Sequence, residues 1–458
     1  MPGRFERFTL ENGINLYVQS TPKFKTTMIK VFLHQLLSPD NVTRTALVPF
    51  VLRRGTESFP TNRDLMRRLE ELYGAHLATH ILKIGERQII TFELEMANGK
   101  YLPGKTELLR EGLAVLREVI LEPVTENGGF KREYLRQEKD VLKRLIESLI
   151  NDKMQYAMFR CFQEMCRGEN YGLHKYGRVE DLEGIDAVGL YSYYRQLMRE
   201  NPLDVYVIGD VAVDEIKEEV AEFFSFPRDR ERKIPPPPVK REVTQVKEVI
   251  ERKNVTQGKL CLGLRTNTSM RDEDYYPLVV ANGILGGFTH SKLFQNVREK
   301  GNLAYYAFSR LESTKGLMLI SSGIAVEKFN TALEVIMRQV ESLKEGDFTD
   351  EELTFTQRGL INRLRETQDS MSQYINQYLE GVINGREEST EERVEFIKET
   401  KKEDIVKAAR KICLDTIYFL RNGAGEKNTF LKEGLIFAYH QERCSLRGDL
   451  PRKTRDRT

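Results

Sequence analysis

Four consecutive prolines, Pro235–Pro238, stand close to the middle of this 458-residue chain. Proline fixes φ and lacks an N–H, so the run can neither continue a helix nor pair inside a sheet. It favours an extended, semi-rigid polyproline II spacer, rising about 3.1 Å per residue. The stretch before it, Pro227-Arg-Asp-Arg-Glu-Arg-Lys-Ile234, is charged and offers no core. The chain is therefore expected to fold as two separate halves. A hydrophobic content of 40% supplies apolar material for two cores and argues against wholesale disorder. The expected division is a first domain at 1–227, a proline-rich linker at 228–245, a second domain at 246–436 and a basic tail at 437–458.

The halves also resemble each other. Phe130-Lys-Arg-Glu-Tyr-Leu135 and Phe348-Thr-Asp-Glu-Glu-Leu353 match at one offset, and Leu142 and Leu360 extend the match. The first goes on with helical spacing through Leu142, Leu145, Ile146 and Leu149. Farther on, Leu203-Asp-Val-Tyr-Val-Ile208 and Leu414-Asp-Thr-Ile-Tyr-Phe-Leu420 each read as a short strand after a helix. The pattern predicts a duplicated domain. Ile14–Gln19, Thr27–Leu33 and Ile89–Met96 alternate as strands. Thr61 or Asn62 caps a helix whose Leu65, Leu69 and Leu72 share one face, and Gly74 can end it. Strands and long helices mix without strict βαβ alternation. Each half is expected to be α+β, a mostly antiparallel sheet with long helices on one face.

Several function classes fall away. A net charge of +2 gives no global reason to bind nucleic acid. No apolar run reaches the roughly 20 residues of a membrane span, and the N-terminus lacks an apolar leader, so a cytoplasmic, membrane-free protein is expected. The spacing of Cys161 and Cys166 suits neither a zinc knuckle nor a redox pair. No phosphate-binding or dinucleotide loop is present. His76 and His80 have the spacing that binds zinc on a helix. Gly74 precedes them, however, and no carboxylate stands between them, so they read as ordinary sheet or surface histidines. His34, His174, His290 and His440 are scattered and take the same bland reading.

Leu285-Gly-Gly287, followed by Ser291-Lys-Leu-Phe-Gln-Asn-Val-Arg298-Glu-Lys-Gly-Asn-Leu-Ala-Tyr305, resembles the second-domain signature of the M16 family of insulinases, pitrilysins and processing peptidases. Supporting blocks fall in the family's order: Phe8-Thr-Leu-Glu-Asn-Gly-Ile-Asn-Leu-Tyr-Val18, Arg54-Gly-Thr56, Leu69-Glu-Glu-Leu-Tyr-Gly-Ala75, His174-Lys-Tyr-Gly-Arg178 and Val207-Ile-Gly-Asp-Val211. The resemblance implies the family's two-domain α+β metallohydrolase fold.

M16 peptidases hold zinc with His-x-x-Glu-His and a glutamate on a later helix. Counting back from Gly55-Thr56, the three positions are Ala46, Pro49 and Phe50. Leu145 stands at the later ligand position, with Glu147 and Glu138 the nearest carboxylates should the register shift. The resemblance therefore implies no metal in this chain. The family's other device is an Arg and a Tyr seven residues apart, and Arg298 and Tyr305 stand at that spacing. In the absence of the resemblance, Arg298 would read as a helix-end cap and Tyr305 as packed under a strand. With it, the chain is similar to the zinc-less M16-like proteins of Gram-positive bacteria. The implied role is a non-catalytic subunit that lends Arg298 and Tyr305 to a His-x-x-Glu-His-bearing M16 paralogue, or to a second copy of itself. Zinc is expected in the partner, and short or unfolded peptides as substrate. The alternative is an inactive scaffold or peptide-binding protein with no part in catalysis.

Overall fold

A computed structural model describes residues 4–103, 107–229 and 232–423; the expected basic tail at 437–458 and His440 lie outside these. The strands of the first half are β1 (Glu6–Thr9), β2 (Asn15–Ser20), β3 (Thr26–Leu36), β4 (His76–Ile84), β5 (Arg87–Ala97), a short hairpin of β6 (Thr125–Glu126) and β7 (Gly129–Phe130), and β8 (Leu203–Gly209). Its helices are α1 (Val42–Leu52), α2 (Asn62–Glu71), α3 (Leu108–Leu121), α4 (Arg132–Ser148), α5 (Lys153–Met165), α6 (Ala187–Glu200) and α7 (Val213–Phe223). The second half has β9 (Lys247–Arg252), β10 (Gly258–Arg265), β11 (Ala304–Glu312), β12 (Leu317–Ile324) and β13 (Cys413–Arg421). Its helices are α8 (Tyr275–Asn282), α9 (Phe329–Glu345), α10 (Asp350–Thr367), α11 (Met371–Asn384), α12 (Thr390–Glu399) and α13 (Lys402–Ala409).

The chain forms two compact units. Of the described residues, one unit takes those within 4–152, 166–237 and 362–393, and the other those within 153–165, 238–361 and 394–423. The main boundary falls inside the proline run, between Pro237 and Pro238. Contiguous halves do not describe the units, because α5 groups with the second sheet and α11 with the first.

Unit 1 carries a six-stranded sheet in the order β1-β2-β8-β3-β5-β4. Only β2 and β8 pair in parallel. β3 shows why this sheet is covered on both sides. Its odd positions, Ile29, Val31 and Leu33, join the large core with α1, α3, α6 and α7. Its even positions, Met28 and Phe32, join a second core built from Tyr17, Tyr206 and the α11 residues Tyr374, Ile375 and Tyr378. Side chains on a strand alternate between faces, so a strand buried throughout must have a layer on each. Lys30 lies on the α11 face, fully buried. Its Nζ meets Glu93 at 2.7 Å and donates to Ser372 Oγ at 2.7 Å and Asn376 Oδ1 at 3.2 Å. Burial pulls the Lys30 ammonium below its ordinary range, and Glu93 opposes that shift.

Unit 2 carries a five-stranded sheet, β11-β12-β10-β13-β9, with β9 and β13 parallel and the other pairs antiparallel. Phe329 of α9 meets Phe419 of β13 on one face, ring centroids 4.7 Å apart. On the other face, Ala157, Met158 and Cys161 of α5 pack against Cys261, Leu319, Tyr418 and Leu420. Arg265, 1% exposed, ties the end of α5 to the sheet. Its Nη2 donates to the Met165 carbonyl at 2.9 Å and its Nε to Asp415 at 2.9 Å.

The α+β architecture is as expected, with one addition. The face of each sheet opposite its main helices is not bare but covered by one helix from the other half of the sequence. Thr61 caps α2, its side chain accepting from the Asp64 N–H at 3.2 Å, a device worth roughly 0.5–2 kcal/mol. The expected strands over Ile14–Gln19, Thr27–Leu33 and Ile89–Met96 are β2, β3 and β5.

Candidate functional site

The positions aligned with the zinc motif lie on α1 of unit 1. Ala46 is fully buried in the main core, and Pro49 is also buried. A proline inside a helix removes one backbone hydrogen bond and costs about 3 kcal/mol. Phe50 is half-buried. Its ring meets Tyr176 edge-on, centroids 6.5 Å apart, and the Arg53 guanidinium lies 5.1 Å from its centre. Leu145, on α4, packs partly buried against the same apolar core. α4 runs alongside α1, so the two helices that would share a metal do meet, but through hydrocarbon.

Neither nearby carboxylate replaces the lost ligands. Glu147 is exposed. Glu138 is 2% exposed and turns toward the end of α1, where Arg54 Nη1 lies 3.4 Å and Arg53 Nη2 4.0 Å from its oxygens. Burial raises its affinity for a proton, and the two arginines oppose that shift. Arg54 is held in turn by Gln137 and by the face of Tyr134. Among the described residues no group of three or more His, Cys, Asp or Glu side chains is placed to hold a metal ion. The donor set at Ala46, Pro49, Phe50 and Leu145 does not fit zinc.

His76 and His80 sit on β4, opposite Glu95 and Thr91 of β5. On a strand rising about 3.3 Å per residue, residues four apart are separated by more than twice the reach of a shared metal bond. His174 belongs to the loop before Arg178. Burial, helped by Lys83 and Lys175, pushes its imidazole down to about 4. Its Nδ1 accepts from the Tyr176 N–H at 3.2 Å.

The Arg298 and Tyr305 positions belong to unit 2 and are built differently. Arg298 lies in a π-helical stretch, Phe294–Glu299. π-Helical turns are rare and concentrate at functional sites. The guanidinium is 43% exposed, 4.6 Å from the centre of the Phe294 ring and 3.6 Å from Glu299. Tyr305 is 79% exposed, the highest value among the exposed large hydrophobic side chains of the described residues. It stands near the start of β11, an edge strand. Ala304 pairs with Ile324 and Tyr306 with Gly323, so Tyr305 is the extra residue of a β-bulge. A bulge locally re-aims a side chain and is often placed next to an active site. A second constraint comes from Gly286. A Cβ there would lie 2.4 Å from the Ser309 backbone nitrogen of β11 and 2.8 Å from Leu293, so only glycine permits this approach. Arg298 stands in the last turn of its π-helical stretch, and Tyr305 does not pack beneath a strand.

The family profile described as "Peptidase M16 inactive domain" matches residues 185–360. A "Probable inactive metalloprotease YmfF" of Bacillus subtilis is 40% identical over 416 residues, spanning 90% of this chain and 97% of that protein. The chain belongs to the M16 peptidase family. Solved structures agree. A conserved protein from Enterococcus faecalis superposes with a TM-score of 0.86 at 29% identity, covering 93% of this chain and all of that one. A peptidase M16 inactive domain from Pseudomonas fluorescens gives 0.75 at 15% identity, covering 92% of this chain and 99% of that one, and shows the shared fold. In this M16 protein the positions aligned with the zinc motif, Ala46, Pro49, Phe50 and Leu145, carry no metal-binding side chain. Among the described residues no helix is long and apolar enough to cross a membrane.

Some features of this M16 site escaped sequence reasoning. The π-helical stretch and the bulge leave no compositional mark. The pairing of Glu138 with Arg53 and Arg54 joins segments distant in sequence. The stacking of Arg298 on Phe294 was readable, since residues four apart meet on a helix surface.

Proposed function

We propose that this chain is the zinc-less subunit of an M16-type zinc peptidase and lends Arg298 and Tyr305 to a partner that carries the metal. The observation that supports this most is the exposure of Tyr305, 79%, on a bulged edge strand. A tyrosine whose role was packing would bury its ring and satisfy its hydroxyl nearby. Tyr305 instead presents the phenol to whatever approaches the edge. The guanidinium of Arg298 can fork onto a peptide carbonyl and fix the chain to be cut. The Tyr305 hydroxyl can donate to the oxygen that gains negative charge when that carbonyl is attacked. Neither residue needs a metal in its own chain. The partner on this reading is an M16 paralogue with an intact His-x-x-Glu-His motif, and the substrate a short or unfolded peptide. On this reading the protein works in the cytoplasm.

The test is cleavage of a quenched, unstructured peptide by this chain alone, by its His-x-x-Glu-His-bearing relative from the same genome alone, and by an equimolar mixture. Activity confined to the mixture is expected. In the mixture, Tyr305→Phe lowers kcat by about 10²–10³-fold, the cost of losing one oxyanion donor, and Arg298→Ala lowers kcat/KM by weakening the hold on the substrate, while association by gel filtration is unchanged. Association without activity would favour an inactive scaffold or peptide-binding protein. Activity of this chain alone would overturn the reading of a lost metal site.

A further inference from the structure

Arg298 and Tyr305 are joined by a short turn held at several points. The Gln295 carbonyl accepts the Lys300 N–H at 2.9 Å, the Val297 carbonyl accepts the Leu303 N–H at 3.0 Å, and the Arg298 carbonyl accepts the Asn302 N–H at 3.1 Å. Gly301 is pressed against the helix it leaves, where a Cβ would lie 2.6 Å from the Asn296 oxygen. Asn302 has φ of 46°, a left-handed conformation that asparagine tolerates better than most residues. These contacts fix the turn to the Arg298 side. One contact reaches it from the Tyr305 side: Lys328 Nζ donates to the Asn302 carbonyl at 2.9 Å.

Lys328 closes a short 3₁₀ turn, Val326–Lys328, that follows β12. β12 ends at Ile324, the residue that pairs with Ala304 just before the bulge. The lysine therefore reaches from the end of β12 back to the turn feeding the strand beside it. A bulged edge strand is a place where register can slip by one residue, and such a slip turns every side chain to the opposite face. A tether at Asn302 adds to the Ala304–Ile324 pair in restraining the chain upstream of the bulge, while the pairs from Tyr306 onward restrain it downstream.

We propose that Lys328 is a positioning residue. By holding the Asn302 carbonyl it fixes the turn between Arg298 and Tyr305, and so fixes where the two side chains stand relative to each other. The inference rests on the reading that those two residues contact substrate. Its structural half can be tested without that reading. A group this close to solvent adds little to global stability, so its effect belongs in placement.

The experiment has two arms. In the chain alone, Tyr305 is replaced by a ring-fluorinated tyrosine and followed by fluorine NMR. Lys328→Met is expected to shift or split the resonance, while Lys328→Arg, which keeps the donor, leaves a single unshifted line. In the active mixture, Lys328→Met is expected to lower kcat about tenfold, within the range a misplaced group far from the chemistry can cause. KM and the thermal midpoint stay near the unaltered values, and Lys328→Arg restores turnover to within about twofold. Should Lys328→Met lower the thermal midpoint, Asn302→Val against Asn302→Gly tests the same turn, since glycine keeps φ positive and valine does not. An identical Tyr305 resonance in Lys328→Met and the unaltered chain overturns the proposal, as does a loss of turnover that Lys328→Arg fails to rescue. If the resonance moves but Arg298→Ala and Tyr305→Phe leave turnover intact, the positioning stands and the functional reading falls.

Discussion

In unit 1 the strands run β4-β5-β3-β8-β2 with the last pair parallel, and in unit 2 they run β11-β12-β10-β13-β9 with the same pair parallel. The units repeat one scaffold; they differ in two corresponding places and agree in a third. Facing the first helix, unit 1 has Glu138, three residues after Leu135, buried beside Arg53 and Arg54. Unit 2 has Thr356, three residues after Leu353, bonded to His290 at 3.0 Å. At the start of the outer strand, β4 pairs with β5 without interruption from His76, whereas β11 opens on a bulge that turns Tyr305 outward. On the face covered by the exchanged helix, β3 buries Lys30 and the corresponding strand β10 buries Arg265. A duplicated fold can lose chemistry in one copy and keep exposed reactive groups in the other. The sheet order needs neither.

The largest stability effects are expected where the two units are alike. Lys30 and Arg265 are cations with almost no exposure, each bonded both to the sheet and to the exchanged helix. Removing one partner of a buried ion pair strands the other and typically costs 3–5 kcal/mol. Lys30→Met and Arg265→Met are each expected to lower the unfolding free energy by about 3 kcal/mol, the low end because Glu93 and Asp415 keep some contact with water. Urea melts read this directly. A loss below about 1 kcal/mol in one variant, against the full loss in the other, would show that the two clamps are not equivalent.

Much of this comparison was legible beforehand. The strands over β2, β3 and β5 were legible because the period of two is set by the strand itself, and each of their two faces meets a core of its own. The match of Phe130–Leu142 with Phe348–Leu360 foretold α4 and α10, and that of Leu203–Ile208 with Leu414–Leu420 foretold β8 and β13. The exchange of α5 and α11 was not legible. An amphipathic helix declares that it has an apolar face, not which sheet will cover it. Ala46, Pro49, Phe50 and Leu145 could be read as incapable of holding zinc from residue type alone. Arg298 and Tyr305 came to notice through resemblance, and their exposure became visible only once the bulge and the π-helical stretch were known. The buried polar contacts of Lys30, Glu138 and Arg265 join residues far apart in sequence, so no local pattern announces them.

The units should also differ in their response to acid. His174 in unit 1 is partly buried near Lys83 and Lys175 and is held neutral down to about 4. His290 in unit 2 is also pushed down by burial, but Glu352 opposes the shift. A histidine whose folded pKa lies below its unfolded value of about 6.5 leaves the unfolded chain binding more protons. Its contribution to stability is therefore complete above pH 6.5 and is lost as pH falls toward 4, by no more than about 3 kcal/mol. Urea midpoints measured across that window should fall more steeply for the unaltered chain than for His174→Asn. Parallel curves would mean that His174 is protonated in the folded state near its ordinary pH.

The smallest effect concerns the helix face where the units diverge most in chemistry. Ala46 has no exposed surface and is surrounded by the main core of unit 1. Ala46→His would add a ring to a filled space and bury two ring nitrogens among hydrocarbon neighbours. Overpacking of this kind costs typically about 1–3 kcal/mol. The substitution is expected to lower stability by that amount and to create no zinc affinity, because Pro49, Phe50 and Leu145 still offer no ligand. Adding Pro49→Glu and Phe50→His makes the sharper comparison. The triple variant regains the motif's letters and removes the helix-breaking proline, yet Leu145 leaves the later ligand missing and Glu138 stays turned toward Arg53 and Arg54. Calorimetric titration with zinc should show at most weak binding, with Leu145→Glu needed before affinity rises. Tight zinc binding by the triple variant alone would mean that α4 can swing Glu138 or Glu147 into the site, and that unit 1 lost its metal through the residues of α1 only.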